Sequence, residues 1–286
     1  MRKRGLLLLL VASQVLLAGC SGAPASSDRK PTEASPTPSA GASTPTVGSC
    51  YDGNAIERYR SEMRAIAKVD TCDLKHVAET AYVGALNGAA PPAGADLRAI
   101  WAECEKGAND YLGDNWHGAR VDLVMFTPTP EEWSGGDRGF RCDLAETTDD
   151  FGLVARRTAS LKDGLRGARP LAITCLKLVA DDTAHVPCTE SHRYEYAGYA
   201  VAADGPYPAD DTALRKAFDG GCETIVAKYT NMTVSQLRAH RQLQSIWYRP
   251  DERHWDLGDR SARCYVSVPA VPDVRRSVRG IGNHTL

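Results

Sequence analysis

An α+β architecture of two tandem, disulfide-stapled repeats is what this 286-residue chain predicts, each repeat holding a hairpin, one amphipathic helix and further antiparallel strands. Three features lead there. A set of residue blocks occurs twice in the same order, the cysteines form an even set behind an export signal, and each repeat has one helix-periodic segment flanked by extended runs.

The blocks come first. Around Cys142 the chain reads Trp133-Ser-Gly-Gly136-Asp137-Arg138-Gly-Phe-Arg141-Cys142, and around Cys264 it reads Trp255-Asp-Leu-Gly258-Asp259-Arg260-Ser-Ala-Arg263-Cys264. Cys72 is followed by His76 and Glu79 as Cys188 is by His192 and Glu195, and Cys104-Glu105 leads to Tyr111 as Cys222-Glu223 leads to Tyr229. Matched blocks in one order mark a duplication. The expected bounds are residues 48–160 for the first repeat, 161–270 for the second and 271–286 for a C-terminal tail.

Each repeat then carries four cysteines: Cys50, Cys72, Cys104 and Cys142, then Cys175, Cys188, Cys222 and Cys264. An even set in an exported chain points to disulfides, and no Cys-x-x-Cys pair suggests a metal cluster. If each repeat closes its own bridges, three pairings remain per repeat. The preferred one is first with second and third with fourth. Cys175 and Cys188 flank apolar runs separated by Asp181-Asp182-Thr183, which suits a bridged hairpin, and the last two cysteines would tie a helix to a strand.

Asp96–Leu112 sets Leu97, Ile100, Trp101, Cys104, Ala108 and Tyr111 at helical spacing, and Ala213–Tyr229 does so with Leu214, Phe218, Cys222, Ile225, Val226 and Tyr229. Pro91, Pro92 and Gly94 precede the first helix, Pro206 and Pro208 the second, and Asp210 or Asp211 is placed to cap the latter. Extended segments are expected before each helix (Val77–Leu86, Tyr194–Val201) and after it (Val121–Phe126, Leu243–Tyr248), stopping at Pro128 and Pro250. A final strand should end each repeat at its fourth cysteine.

The chain opens with Arg2-Lys3-Arg4, an apolar stretch from Leu6 to Leu17 and Leu17-Ala18-Gly19-Cys20. The apolar stretch is shorter than the roughly 20 residues of a membrane span, so residues 1–19 read as a signal peptide. Its end resembles a lipobox, which makes Cys20 the lipidated first mature residue and the bilayer its partner, on the extracytoplasmic face of the cell membrane. Residues 20–47, rich in Ser, Thr, Ala, Gly and Pro, cannot bury enough apolar surface to fold and read as a tether. Removing Arg2, Lys3 and Arg4 takes the formal charge from −2 to −5, which argues against nucleic acid as a partner.

Two repeated constellations are candidate binding sites. His76 with Glu79 and His192 with Glu195 would share a face on a helix, fit for a metal or acid/base pair, but both stretches read as strands, where an odd spacing sends them to opposite faces. The bland reading is a histidine hydrogen-bonded at the strand's start. Asp137-Arg138 and Asp259-Arg260 could present a forked donor beside an indole to a carboxylate or sugar. The bland reading is a turn in which aspartate accepts backbone N–H bonds, arginine bridges strands and tryptophan fills the core. There is no Gly-x-Ser-x-Gly elbow, no His-Glu-x-x-His and no phosphate-cradling glycine loop, and no catalytic residue, metal or cofactor is expected. Asn231-Met-Thr and Asn283-His-Thr match a glycosylation acceptor by coincidence.

The run Cys-x-x-x-His-x-x-Glu, then a helical cysteine, then Pro before Trp-x-x-Gly-Asp-Arg-x-x-Arg-Cys, resembles the septum formation domain family of high-GC Gram-positive bacteria. The resemblance covers about Cys50–Val268 as two copies and is closest in Val186–Cys264. The first copy departs from it, with Asp70-Thr71 before its cysteine and an insertion-like stretch after Cys50. It implies an envelope protein connected with cell division, with division or envelope proteins as partners, and names no catalytic residues. A non-enzymatic binding or scaffold lipoprotein is the leading expectation. An envelope enzyme or metal binder using the His/Glu pairs, and a peptidoglycan binder, are the alternatives.

Overall fold

The computed structural model describes residues 45–53, 67–149, 152–180, 182–249, 252–269 and 274–286, which lie in one compact unit. The expected signal peptide, Cys20, most of the tether, residues 54–66 of the stretch after Cys50, and Pro250 fall outside the described residues.

Each half builds a five-stranded antiparallel sheet. In the first, β1 (Cys50–Asp52), β2 (Ala67–Val69), β3 (Ala78–Ala85), β4 (Val121–Phe126) and β5 (Gly139–Glu146) lie in the order β2-β1-β3-β5-β4. In the second, β6 (Cys175–Val179), β7 (Asp182–Val186), β8 (Tyr194–Val201), β9 (Gln244–Tyr248) and β10 (Ser261–Ser267) lie in the order β7-β6-β8-β10-β9. The two orders are one order repeated. The repetition extends to a β-bulge: the register skips Ala81 between the pairs Thr80↔Asp143 and Tyr82↔Cys142, and Ala197 between Tyr196↔Tyr265 and Gly198↔Cys264. An extra residue at the same point bends both sheets alike. The closing strands do not end at the fourth cysteine as expected. Cys142 and Cys264 sit mid-strand, because β4 pairs β5 as far as Glu146 and β8 and β9 pair β10 as far as Ser267.

One long helix packs on each sheet, α1 (Ala95–Leu112) on the first and, after the short α2 (Pro130–Ser134), α3 (Asp211–Thr230) on the second. Asp210, not Asp211, caps α3, its carboxylate accepting the Ala213 N–H at 2.8 Å. Asn231 ends α3 in the left-handed conformation, which gives its glycosylation-like triplet a local structural reason. The short helices α2, α4 (Val234–Ala239) and α5 (Glu252–Leu257) and a 3-10 turn at Trp116–Gly118 were not expected. They span too few turns to print a period. No helix among the described residues is long and apolar enough to cross a membrane.

Disulfides join Cys50 to Cys72, Cys104 to Cys142, Cys175 to Cys188 and Cys222 to Cys264, so each half closes its own bridges. Cys104 and Cys222 tie the long helices to β5 and β10. Helix and sheet meet closely, and the halves solve that contact with opposite residues. In the first, a Cβ on Gly107 of α1 would lie 2.4 Å from the Cβ of Tyr82 on β3. In the second the large residue is Ile225 of α3, and a Cβ on Gly198 of β8 would lie 2.9 Å from it. Tyr82 and Gly198 are equivalent by their spacing from the His/Glu blocks, as are Gly107 and Ile225 from the helical cysteines, so the bulk has changed sides while the layer spacing is kept.

The expected bounds of the halves shift. Leu161, Leu165 and Leu171 are buried in the first core, so that half continues beyond 160. Val274 and Val278 are buried in the second core with Ile281 and Leu286 against it, so the described residues 274–286 are packed rather than a tail.

Candidate functional site

The repeated Glu79 and Glu195 are each the centre of a buried hydrogen-bond hub. Both are fully buried at the bulged ends of β3 and β8, where a bare carboxylate would be costly without donors. Glu195 accepts from the Tyr229 hydroxyl of α3 at 2.8 Å, the Ser277 hydroxyl at 2.8 Å and the Val278 N–H at 2.7 Å. Glu79 accepts the same three kinds of donor, from the Tyr111 hydroxyl, the Ser160 hydroxyl and, at 2.6 Å, the Leu161 N–H. Burial raises both tyrosines, and the neighbouring carboxylates keep them protonated as donors. Each hub therefore ties strand, helix and the segment that closes its half. That is the physical reason the halves extend past their expected bounds.

The histidines do not lie on the face opposite their glutamates. His76 and His192 precede the regular strands, in isolated bridges to Arg157 and Val274, so strand alternation does not apply to them. Their Nδ1 atoms meet the carbonyls of Leu74 and Glu190, both at 2.8 Å, so each Nδ1 donates. His192 Nε2 reaches Glu195 Oε1 at 3.0 Å, whereas His76 Nε2 meets no hydrogen-bond partner among the described residues. Burial acts to lower the His192 imidazole, but the Glu195 and Glu190 oxygens prevail and hold it above its ordinary value. The ligand-like groups Cys50–His76–Glu79 and Cys175–Cys188–Glu195 include sulfurs already in disulfides, which offer no thiolate to a metal.

The Trp-x-x-Gly-Asp-Arg corners are helix ends. Trp133 and Trp255 are buried on α2 and α5, and each aspartate accepts the N–H two residues on, Gly139 or Ser261, at 2.8 Å. The arginine does not bridge strands through its side chain. Its guanidinium lies over the indole of its own corner, 3.8 Å from the ring centre for Arg138 and 4.4 Å for Arg260, while its backbone carbonyl receives Leu86 or Ala202. The indole face that could have stacked on a sugar is thus covered from within.

A third constellation lies where the halves meet. The 3-10 turn carries His117 against the second half, with Tyr199 stacked on its ring at 4.9 Å and the Tyr196 hydroxyl donating to its carbonyl at 3.1 Å. Arg263 crosses the seam to the carbonyls of His117, Ala119 and Val121 at 3.1 to 3.2 Å. His117 Nε2 lies 3.2 Å from Asp259 Oδ1, and Glu105 of α1 completes a group whose ligand-type atoms lie within 4.8 Å of one another. Burial pushes the Asp259 carboxyl up, but the His117 contact and charge bring it below its usual value. Burial raises Glu105, and the nearby Asp259 adds to it. His185, on β7, is driven down to about 3 by burial and by Arg120 and Arg263.

The family model described as septum formation matches residues 47–264, most of the chain and both halves. The chain belongs to the septum formation family. No curated protein and no solved structure matches it. Septum formation membership ties the chain to cell division or the envelope. Of the residues singled out in the sequence, the structure brings each His/Glu pair to one hub and each Asp/Arg pair to one corner, and it joins none of the first-half pairs to their second-half counterparts. Sequence reasoning missed His117, Ser160, Ser277 and the seam. His117 has no repeated counterpart to flag it, and Ser160-Leu161 and Ser277-Val278 escape notice because their spacing differs between the halves, Ser160 lying 81 residues after Glu79 and Ser277 82 after Glu195.

Proposed function

We propose that this septum formation protein is a non-enzymatic binding or scaffold module of the cell envelope, held by a lipidated Cys20 on the extracytoplasmic face of the membrane and working at or beside the division septum. The observation that carries the non-enzymatic reading is the saturation of Glu79 and Glu195. A general acid or base must reach a substrate proton, and these carboxylates are fully buried and occupied by fixed donors of their own half. The covered indoles argue in the same direction against a sugar platform. The basic, apolar start ending at Cys20 supports the anchor, and bridges within both halves support a site outside the reducing cytoplasm.

The test is made in cells. An alkyne-bearing fatty acid should label the wild-type chain and not Cys20→Ser, and crosslinking should enrich division proteins over an equally abundant control lipoprotein. An unlabelled chain with free thiols in the soluble fraction defeats the anchor. Enrichment no greater than the control's defeats the septal role. A substrate turned over by purified protein and lost in Glu195→Gln defeats the non-enzymatic reading.

A further inference from the structure

We propose that Glu105, His117 and Asp259 form a binding site for one divalent transition cation across the seam between the halves, revising the expectation that the chain takes no metal.

Proton accounting at His117 is the first support. The Asn115 side-chain oxygen accepts the His117 backbone N–H at 2.9 Å, and its Nδ2 donates to the Tyr199 hydroxyl at 3.0 Å, which identifies that atom as the oxygen. The same oxygen lies 3.0 Å from His117 Nδ1, so Nδ1 carries the proton. Nε2, 3.2 Å from Asp259 Oδ1, is then the ring nitrogen left for a cation, which would displace the proton held in that contact. A ring nitrogen oriented by a hydrogen bond on its other side, facing carboxylates, is how proteins prepare histidine for a cation.

Geometry is the second support. Metal–ligand bonds of roughly 2.0 to 2.2 Å place tetrahedral ligand atoms about 3.3 Å apart. The 3.2 Å between His117 Nε2 and Asp259 Oδ1 fits one such edge. Glu105 lies within 4.8 Å of both and is half-buried, so a side-chain rotation brings its oxygen in and leaves the fourth position to water. The carboxylates are steadied by the Trp116 Nε1–H on Glu105 at 3.4 Å and the Ser261 N–H on Asp259 at 2.8 Å. Two carboxylates close together in a partly buried seam carry an excess of negative charge that a divalent ion offsets. One imidazole with two carboxylates suits zinc or manganese better than calcium.

Among the described residues this group occurs once although its surroundings are duplicated. Asp137, the counterpart of Asp259, is exposed on α2's corner, and Glu223, the counterpart of Glu105, pairs with Arg238 at 3.0 Å.

Calorimetric titration of the purified, disulfide-intact chain with Zn²⁺ should give one ion per chain, with weaker Mn²⁺ and no Ca²⁺ binding. His117→Ala and Glu105→Gln should each weaken Zn²⁺ by about tenfold to a hundredfold, and exposed His284→Ala should leave it unchanged. Should His117→Ala fail to fold, the near-isosteric Glu105→Gln carries the test, with Zn²⁺ raising the melting temperature of wild type and not of this variant. The absence of saturable one-to-one binding, or binding that survives Glu105→Gln unchanged, overturns the site.

Discussion

In the first half Asp137 is exposed and its carboxylate receives the Gly139 amide, whereas its counterpart Asp259 is 5 % exposed, receives the Ser261 amide and also meets His117 of the other half. Glu105 and Glu223 diverge in the same way, one facing the seam and the other paired with Arg238 on the surface. Glu79 and Glu195 keep the same set of donors, tyrosine, serine and a backbone amide deep in their own half, and differ in that Glu195 also meets its histidine. Duplication copies a local turn or hub together with its neighbours. What changes most is the face that one copy turns to the other, so equivalence is largely kept within each half and lost at the boundary.

Breaking the long-range bridges tests the equivalence most severely. Cys104–Cys142 and Cys222–Cys264 span 38 and 42 residues, so replacing either pair with serine should cost about 4 kcal/mol in chain-entropy terms. Denaturant unfolding should find the two losses alike. A difference above about 2 kcal/mol would mean that one half leans on the other more than its own bridge implies.

The aspartates should separate. Asp259→Ala leaves His117 facing a lost partner in a buried seam, a change of about 3 kcal/mol, while Asp137→Ala removes one exposed turn contact and should cost at most about 1 kcal/mol. Equal losses in melts of the two variants would sink the account of the seam.

A smaller effect should distinguish the hubs by pH. Glu195 holds the His192 imidazole above its unfolded value of about 6.5. Its stabilisation is therefore fully present below pH of about 6.5 and is lost as pH rises through the raised folded value. Wild-type unfolding free energy should fall over that alkaline window, and His192→Gln should flatten it; an unchanged slope in the variant would place the dependence elsewhere. The corner arginines should matter least. Arg138→Ala and Arg260→Ala each uncover an indole and should cost about 1 kcal/mol or less, measured by thermal melts against wild type.

Much of this could be read from residue order, because periodicity and spacing are local. The α+β class, both long helices and the strands around them appear as apolar periods, and the cysteine order within each repeat restricts the bridges. The His/Glu positions were visible too, but their geometry was misjudged. Strand alternation was applied to His76 and His192, which lie just before the strands, and only the bridges to Arg157 and Val274 reveal that. The repeat bounds differ for a related reason: Leu161 and Ser277, each beyond its expected bound, donate to hubs centred far from them in the chain, and no apolar period marks a backbone amide or hydroxyl donor.

Composition and spacing alone determined that two like α+β units, each with its own four cysteines, follow a basic and apolar start, since those signals depend on neighbours along the chain. Only the tertiary structure decided which copy of each repeated acid is buried, where each half ends, and that Glu105, His117 and Asp259 converge. Those outcomes depend on one half packing against the other, and a contact between residues more than 140 positions apart, such as His117 with Asp259, leaves no period in the chain.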